Sequence, residues 1–245
     1  AAKMAQDNGA QLIDINMGCP AKKVVNGYSG SALLKDLDHA LTLIDAVVAA
    51  VSVPVTLKTR LGWDDQCRNA PDLARRAEAA GIAMITIHGR TRCQFYKGEA
   101  DWLAIADVSQ AVDIPVIANG DITNAQTART AMQAAQSAGV MIGRGAQGRP
   151  WLLAQVAAVL EGRAPATAPP VREALHDMVC GHYEAMLGFY GVDLGLRVAR
   201  KHLGWYMQAA GTAAAVRRAI LTSTSPSQVT GLLRRAFTTN LEAVA

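Results

Sequence analysis

Over its first 143 residues the chain switches repeatedly between two hydrophobic periods. Five short runs rich in β-branched and long apolar residues are predicted as strands: Leu12 to Asn16, Val53 to Lys58, Met84 to His88, Pro115 to Asn119 and Val140 to Gly143. Between them apolar residues recur at three- and four-residue spacing. Leu33, Leu37, Leu41, Ile44 and Val48 predict one helix, Leu73, Ala77 and Ala80 predict another, and Thr123 is placed to cap a third over Ala125 to Ala135. Strand and helix alternate, as in parallel βα units.

The units also resemble one another. Gly9-Ala10-Gln11-Leu12-Ile13-Asp14-Ile15 is echoed by Gly81-Ile82-Ala83-Met84-Ile85-Thr86-Ile87, and Val53-Pro54-Val55 by Ile114-Pro115-Val116. Repetition at roughly 30 residues per unit favours a (β/α)₈ barrel over an open sheet. A barrel needs eight strands and five are legible, so the expectation is a partial TIM barrel whose first three strands lie upstream of Ala1. Beyond Trp151 the strand signal stops. Gly162 to Pro170 has the composition of a linker, and the remainder of the chain is helical in pattern, punctuated at Gly191, Gly211 and Ser223 to Ser227. The predicted organisation is a catalytic barrel domain over 1–162 and an all-helical domain over 170–245.

Composition narrows the class. With 51% apolar residues the chain can bury a large core. Its longest apolar stretch, Leu41 to Val55, is interrupted by Thr42, Asp45, Ser52 and Pro54, short of the roughly 18 residues a membrane span needs. The four cysteines, at 19, 67, 93 and 180, lack paired spacing, which argues against a disulfide framework or a metal cluster and for a reducing cytoplasm. The net charge of +4 is uneven: residues 164–245 carry 8 Lys/Arg against 5 Asp/Glu, so the helical part is the basic one.

In barrels, function gathers at the carboxyl ends of strands. Here those ends read Asn16-Met17-Gly18-Cys19-Pro20, Lys58-Thr59-Arg60, His88-Gly89-Arg90, Asn119-Gly120-Asp121 and Gly143-Arg144-Gly145. Taken singly, Cys19 is a small buried hydrophobe, Lys58 a snorkelling lysine, His88 a hydrogen-bonded core histidine and Asn119-Gly120-Asp121 a turn. Polar groups at five successive strand ends are not explained by a core. The glycine-bearing last two ends suit a phosphate held by bare backbone N–H groups, with Arg144 adding a charge-assisted bond. Lys58 would set a compact positive charge in the mouth, beside an electron-accepting ring.

The run Asp14-Ile15-Asn16-Met17-Gly18-Cys19-Pro20-Ala21-Lys22-Lys23-Val24 resembles the signature of tRNA-dihydrouridine synthases, in particular the bacterial B-type enzymes. The resemblance continues through Thr86-Ile87-His88-Gly89-Arg90-Thr91-Arg92, Ile117-Ala118-Asn119-Gly120-Asp121-Ile122, Met141-Ile142-Gly143-Arg144, Gly148-Arg149-Pro150-Trp151 and Arg200-Lys201-His202. It implies a flavin-binding barrel followed by a helical RNA-binding domain. It also implies reduction of the carbon 5 to carbon 6 double bond of uridine in tRNA, with tightly bound FMN as hydride donor and NADPH as reductant. Cys19 matches the family's general acid. Lys58, His88, Asn119, Gly120, Asp121, Gly143 and Arg144 match cofactor-binding positions, and Asn16 and Arg90 match residues near the target uracil or its phosphate. Arg197, Arg200 and Lys201 share a helical face and would meet tRNA phosphates. A monomer without metal or membrane is expected. Two other readings remain open at this point: a flavin barrel acting on a free pyrimidine, as dihydroorotate dehydrogenases do, and a remnant that binds RNA without catalysis. In addition, Gln136 stands where the family commonly has glycine.

Overall fold

The computed structural model describes residues 1–164 and 168–238, which divide after Gly143 into two compact units. Part of the expected linker, 165–167, and the end of the expected helical domain, 239–245, lie outside the described residues. In the first unit five strands, β1 (Ile13–Asn16), β2 (Val55–Arg60), β3 (Met84–His88), β4 (Val116–Asn119) and β5 (Gly139–Met141), pair in parallel in the order of the chain. Register runs Asn16 to Lys58, Arg60 to His88, His88 to Asn119 and Asn119 to Met141. The order never reverses, so the sheet has no switch point of the doubly wound kind. It is an arc of barrel, as the repeated units predict.

Alternation along the strands explains why the helices cover one face. Ile13, Ile15 and Met17, then Val55 and Leu57, Ile85 and Ile87, Val116 and Ala118 join the apolar core. The helices packed on that face are α3 (Leu37–Val48), α4 (Ala70–Ala79), α5 (Leu103–Ser109) and α6 (Ala125–Ala134). The opposite face carries Asp14 and Asn16, Thr56, Lys58 and Arg60, Thr86 and His88, and Asn119.

Two local expectations are corrected. The spacing from Leu33 to Val48 is not one helix: Gly30–Lys35 is a 3-10 turn (η1), and the Asp36 side chain then caps α3 by accepting from the His39 N–H at 3.0 Å. An extended Asp36 that satisfies an orphan N–H stabilises a fresh start more than it does a continuous helix. The cap of α6 is Asn124, in a reciprocal box with Thr127, rather than Thr123. A short helix α1 (Ala2–Asp7) precedes β1, and another, α2 (Lys22–Val25), precedes η1.

The second unit opens with a 3-10 turn, η2 (Arg144–Ala146), and α7 (Leu152–Leu160). It continues through α8 (Arg172–Tyr190), α9 (Val192–Ala209), α10 (Ala214–Thr222) and α11 (Pro226–Thr238). Segment 144–162, expected with the barrel, groups with these helices. A Cβ on Gly148 would collide with the Trp205 carbonyl, so only glycine permits that approach to α9. The core joins Val179, Tyr183 and Met186 of α8 to Leu203 and Met207 of α9 and Leu233 of α11.

Candidate active site at the strand ends

β1 delivers Cys19 on a loop held from three sides. The Asn16 side chain accepts the Gly18 N–H at 3.0 Å, Arg60 Nε donates to the Gly18 carbonyl at 2.8 Å, and the Ser31 N–H and hydroxyl both donate to the Cys19 carbonyl, at 3.0 and 2.9 Å. Gly30 makes the last of these approaches possible: it sits at φ +59°, and a Cβ there would lie 2.7 Å from the Cys19 oxygen. The thiol is free and half-buried.

Lys58 projects from β2 and donates from Nζ to the Asn119 side chain of β4 at 3.2 Å, while Asn119 Nδ2 donates to the Met141 carbonyl of β5 at 2.8 Å. Three strand ends are thereby tied in a row. Burial, and then the Arg60 charge, draw the Lys58 amine below its ordinary value, against the pull of Asp14. His88, at 7% exposure, is pushed to about 3 by burial and by Arg60, Lys58 and Arg90, so it is neutral near pH 7. Arg90 Nη1 lies 3.4 Å from His88 Nε2; donation to that nitrogen leaves the His88 proton on Nδ1.

Arg90 is only 2% exposed, and its donors are all engaged. Nε meets the Lys97 carbonyl, Nη2 the Gly98 carbonyl and Asp121, and Nη1 Asp121 and His88. Its geometry therefore holds the loop after β3, the His88 ring and Asp121, and leaves no N–H for a ligand. Asp121 is correspondingly occupied, accepting from both terminal nitrogens of Arg90 and from the Ala100 N–H at 2.8 Å. Burial raises its carboxyl, but the hydrogen bonds from Arg90 and Ala100 and the Arg90 charge outweigh it, and the net shift is down. Gly120, at φ +119°, lets the turn press on His88: a Cβ would stand 2.8 Å from the imidazole Cδ2. Gly143 closes the first unit with open space around its Cα, and Arg144 begins the second unit in η2.

Two residues at this end go beyond the sequence reading, which names Arg60 among the polar strand ends without a role and does not single out Tyr96. Arg60 binds the Gly18, Thr91 and Phe95 carbonyls, so one buried guanidinium joins the loops after β1 and β3. Burial draws its pKa down, but a guanidinium stays charged. Its position two residues after Lys58, on the same strand face, was the available signal. Tyr96 is exposed, with its ring centre 5.4 Å from the Arg60 guanidinium carbon and 6.3 Å from the His88 ring. Only an aromatic pair in a polar loop, Phe95-Tyr96, hints at it.

In the second unit Arg197 and Lys201 are exposed on α9 and Arg200 is half-buried, with no partner on its Nε. Among the described residues no group of three or more His, Cys, Asp or Glu is placed to hold a metal ion, and no helix is long and apolar enough to cross a membrane.

A sequentially ordered β/α arc that gathers a thiol, an amine, a neutral imidazole and amides at its carboxyl end defines a barrel-type enzyme. The dihydrouridine synthase family model matches residues 1–242, and the chain belongs to that family. A "Probable tRNA-dihydrouridine synthase" of Rhodobacter capsulatus is 60% identical over 97% of this chain and 72% of its own length. The "tRNA-dihydrouridine synthase B" of Xanthomonas campestris pv. campestris is 48% identical over 97% of this chain and 71% of its own. Among solved structures, 2,3-dimethylmalate lyase aligns with a TM-score of 0.46 and 19% identity, covering 78% of this chain and 76% of that one.

Proposed function

We propose that the chain reduces uridine to 5,6-dihydrouridine in tRNA, with FMN in the barrel mouth, NADPH as the reductant and Cys19 as the proton donor. The observation that carries this is the convergence of Cys19, Lys58, His88 and Asn119 on one sheet end, with Cys19 clamped beside a buried cation. Family membership favours this reading over one on a free pyrimidine.

The donor set fits a flavin. Lys58 spends one N–H on Asn119 and keeps two, and the His88 tautomer presents an Nδ1–H. Arg60 and Lys58 give the mouth a positive balance, suited to a ring that carries negative charge when reduced. Lys58, His88, Asn119 and Gly120 would hold the ring and its side chain, Gly143 and Arg144 its phosphate; when bound, reduced FMN supplies the hydride for uracil carbon 6. Asp121 and Arg90 are positioning residues that set His88 and the loop after β3.

Cys19 gives the proton on its sulfur to carbon 5 as carbon 6 takes the hydride, the role of a general acid positioned at the reacting base. Asn16 stands at the same strand end and would meet the base. Pulling the uridine from its stack costs a few kcal/mol, which phosphate contacts by Arg197, Arg200 and Lys201 would offset. The test is incubation of the protein with FMN, NADPH and an unmodified tRNA transcript, followed by mass spectrometry of the nucleosides. Dihydrouridine is expected from wild type and far less of it from Cys19→Ala in the same time; equal product from both removes Cys19 from its role.

A further inference from the structure

One cluster near the strand ends takes no part in that chemistry. Trp63 follows β2, and its indole is shared by two cations: Lys35 Nζ lies 3.9 Å from the ring centre and the Arg92 guanidinium carbon 4.6 Å. Main-chain bonds fix the arrangement, since the Arg92 N–H donates to the Gly62 carbonyl and the Cys93 N–H to the Trp63 carbonyl, both at 2.9 Å. Lys35 ends η1, whose Ser31 clamps Cys19. Arg92 lies two residues beyond Arg90. All three side chains therefore belong to the loops after β1, β2 and β3.

Two like charges on one ring repel, and the acids beside Trp63 in sequence are committed elsewhere. Asp64 accepts the Gln66 and Cys67 N–H groups, and Asp65 pairs with Arg68. Arg92 Nε is buried and makes no hydrogen bond. The ring attracts both cations through its quadrupole and restricts their rotamers, but it neutralises neither. A guanidinium lying against an indole keeps its N–H edge for a planar or tetrahedral oxyanion, and an ammonium beside it adds a point charge.

We infer that Lys35, Trp63 and Arg92 form a phosphate-binding subsite for the RNA backbone next to the reacting nucleotide. The inference rests on the tRNA reading for the identity of the anion. Phosphate contacts position a nucleic acid without reading its sequence, and holding the backbone beside an extruded nucleotide keeps the base in the mouth.

The experiment is tRNA-transcript affinity as a function of salt for the full chain carrying Lys35→Gln, Arg92→Gln or both, with steady-state kinetics on the same proteins. Removing one phosphate interaction should flatten the slope of log affinity against log salt by about 0.7 to 0.9. The double variant should therefore show a flatter slope and a higher KM for tRNA, with the KM for NADPH unchanged. An unaltered slope overturns the inference, and so does a change confined to the NADPH KM, which would assign the cations to the cofactor's phosphates. Lys35 is exposed, so Lys35→Gln remains decisive even if Arg92→Gln fails to fold. RNA bound with a Lys35-dependent slope but never reduced would sink the catalytic reading and spare this one; active protein with an unaltered slope would do the reverse.

Discussion

Gln136 sits at φ +49°, in the left-handed region that glycine occupies freely, immediately after α6. The residue stands out in the sequence because the family it resembles commonly has glycine there, and the conformation arises from the need to stop the helix. Gln136→Gly should raise stability by about 1 kcal/mol, or roughly 2–4 °C in melting temperature for a chain of this size. Calorimetry of the two proteins checks it. His88 illustrates the opposite case, in which a residue is legible and its state is not. Its imidazole is held neutral down to about pH 3, whereas the unfolded chain protonates near 6.5. The unfolded state therefore binds more protons between those values, and stability falls as pH falls through that window. By pH 3 this one group should cost on the order of 4 kcal/mol. Urea unfolding from pH 7 to 4 should be less steeply pH-dependent in His88→Gln than in wild type.

At the scale of elements, the five strands are legible because each is a short apolar run bounded by helix, and parallel pairing in chain order follows from the repeats. Less legible is the alternation inside the strands, where Asp14, Thr56, Lys58, Arg60, Thr86 and Asn119 make one face polar. A run judged by its apolar content hides the residues pointing the other way, so Arg60 is visible as a polar strand end while its bonds to two loops are not. The break between η1 and α3 is hidden for a related reason: Leu33 keeps helical spacing across Asp36, and only the cap reveals the restart. The loop carrying Cys19 depends on η1 through Gly30 and Ser31. Gly30→Ala, strained at positive φ and crowded against the Cys19 carbonyl, should lower the rate of uridine reduction while sparing FMN affinity. Ser31→Ala, which removes one of two donors, should do so more mildly. Flavin titration alongside steady-state rates separates the two effects.

Taken as a whole molecule, the chain joins a barrel arc with a polar strand-end mouth to a helical unit whose α9 presents Arg197 and Lys201 to solvent. The boundary between units falls after Gly143. No composition shift marks that point, whereas Gly162 to Pro170 looks like a linker by composition alone. Replacing Arg197 and Lys201 together by Gln should weaken tRNA binding at low salt far more than at high salt, because exposed charges act through displaced counterions.

The most direct measurement of the central claim is a pair of single-turnover flavin reactions. One follows reduction of the bound flavin by NADPH, and the other its reoxidation by unmodified tRNA, in wild type and in Cys19→Ala. Loss of the proton donor should leave reduction by NADPH unchanged and slow reoxidation by tRNA by about 10²–10⁴-fold. Reoxidation at the wild-type rate in Cys19→Ala would contradict the account, because it would mean that the thiol held at the strand ends takes no part in the chemistry done there.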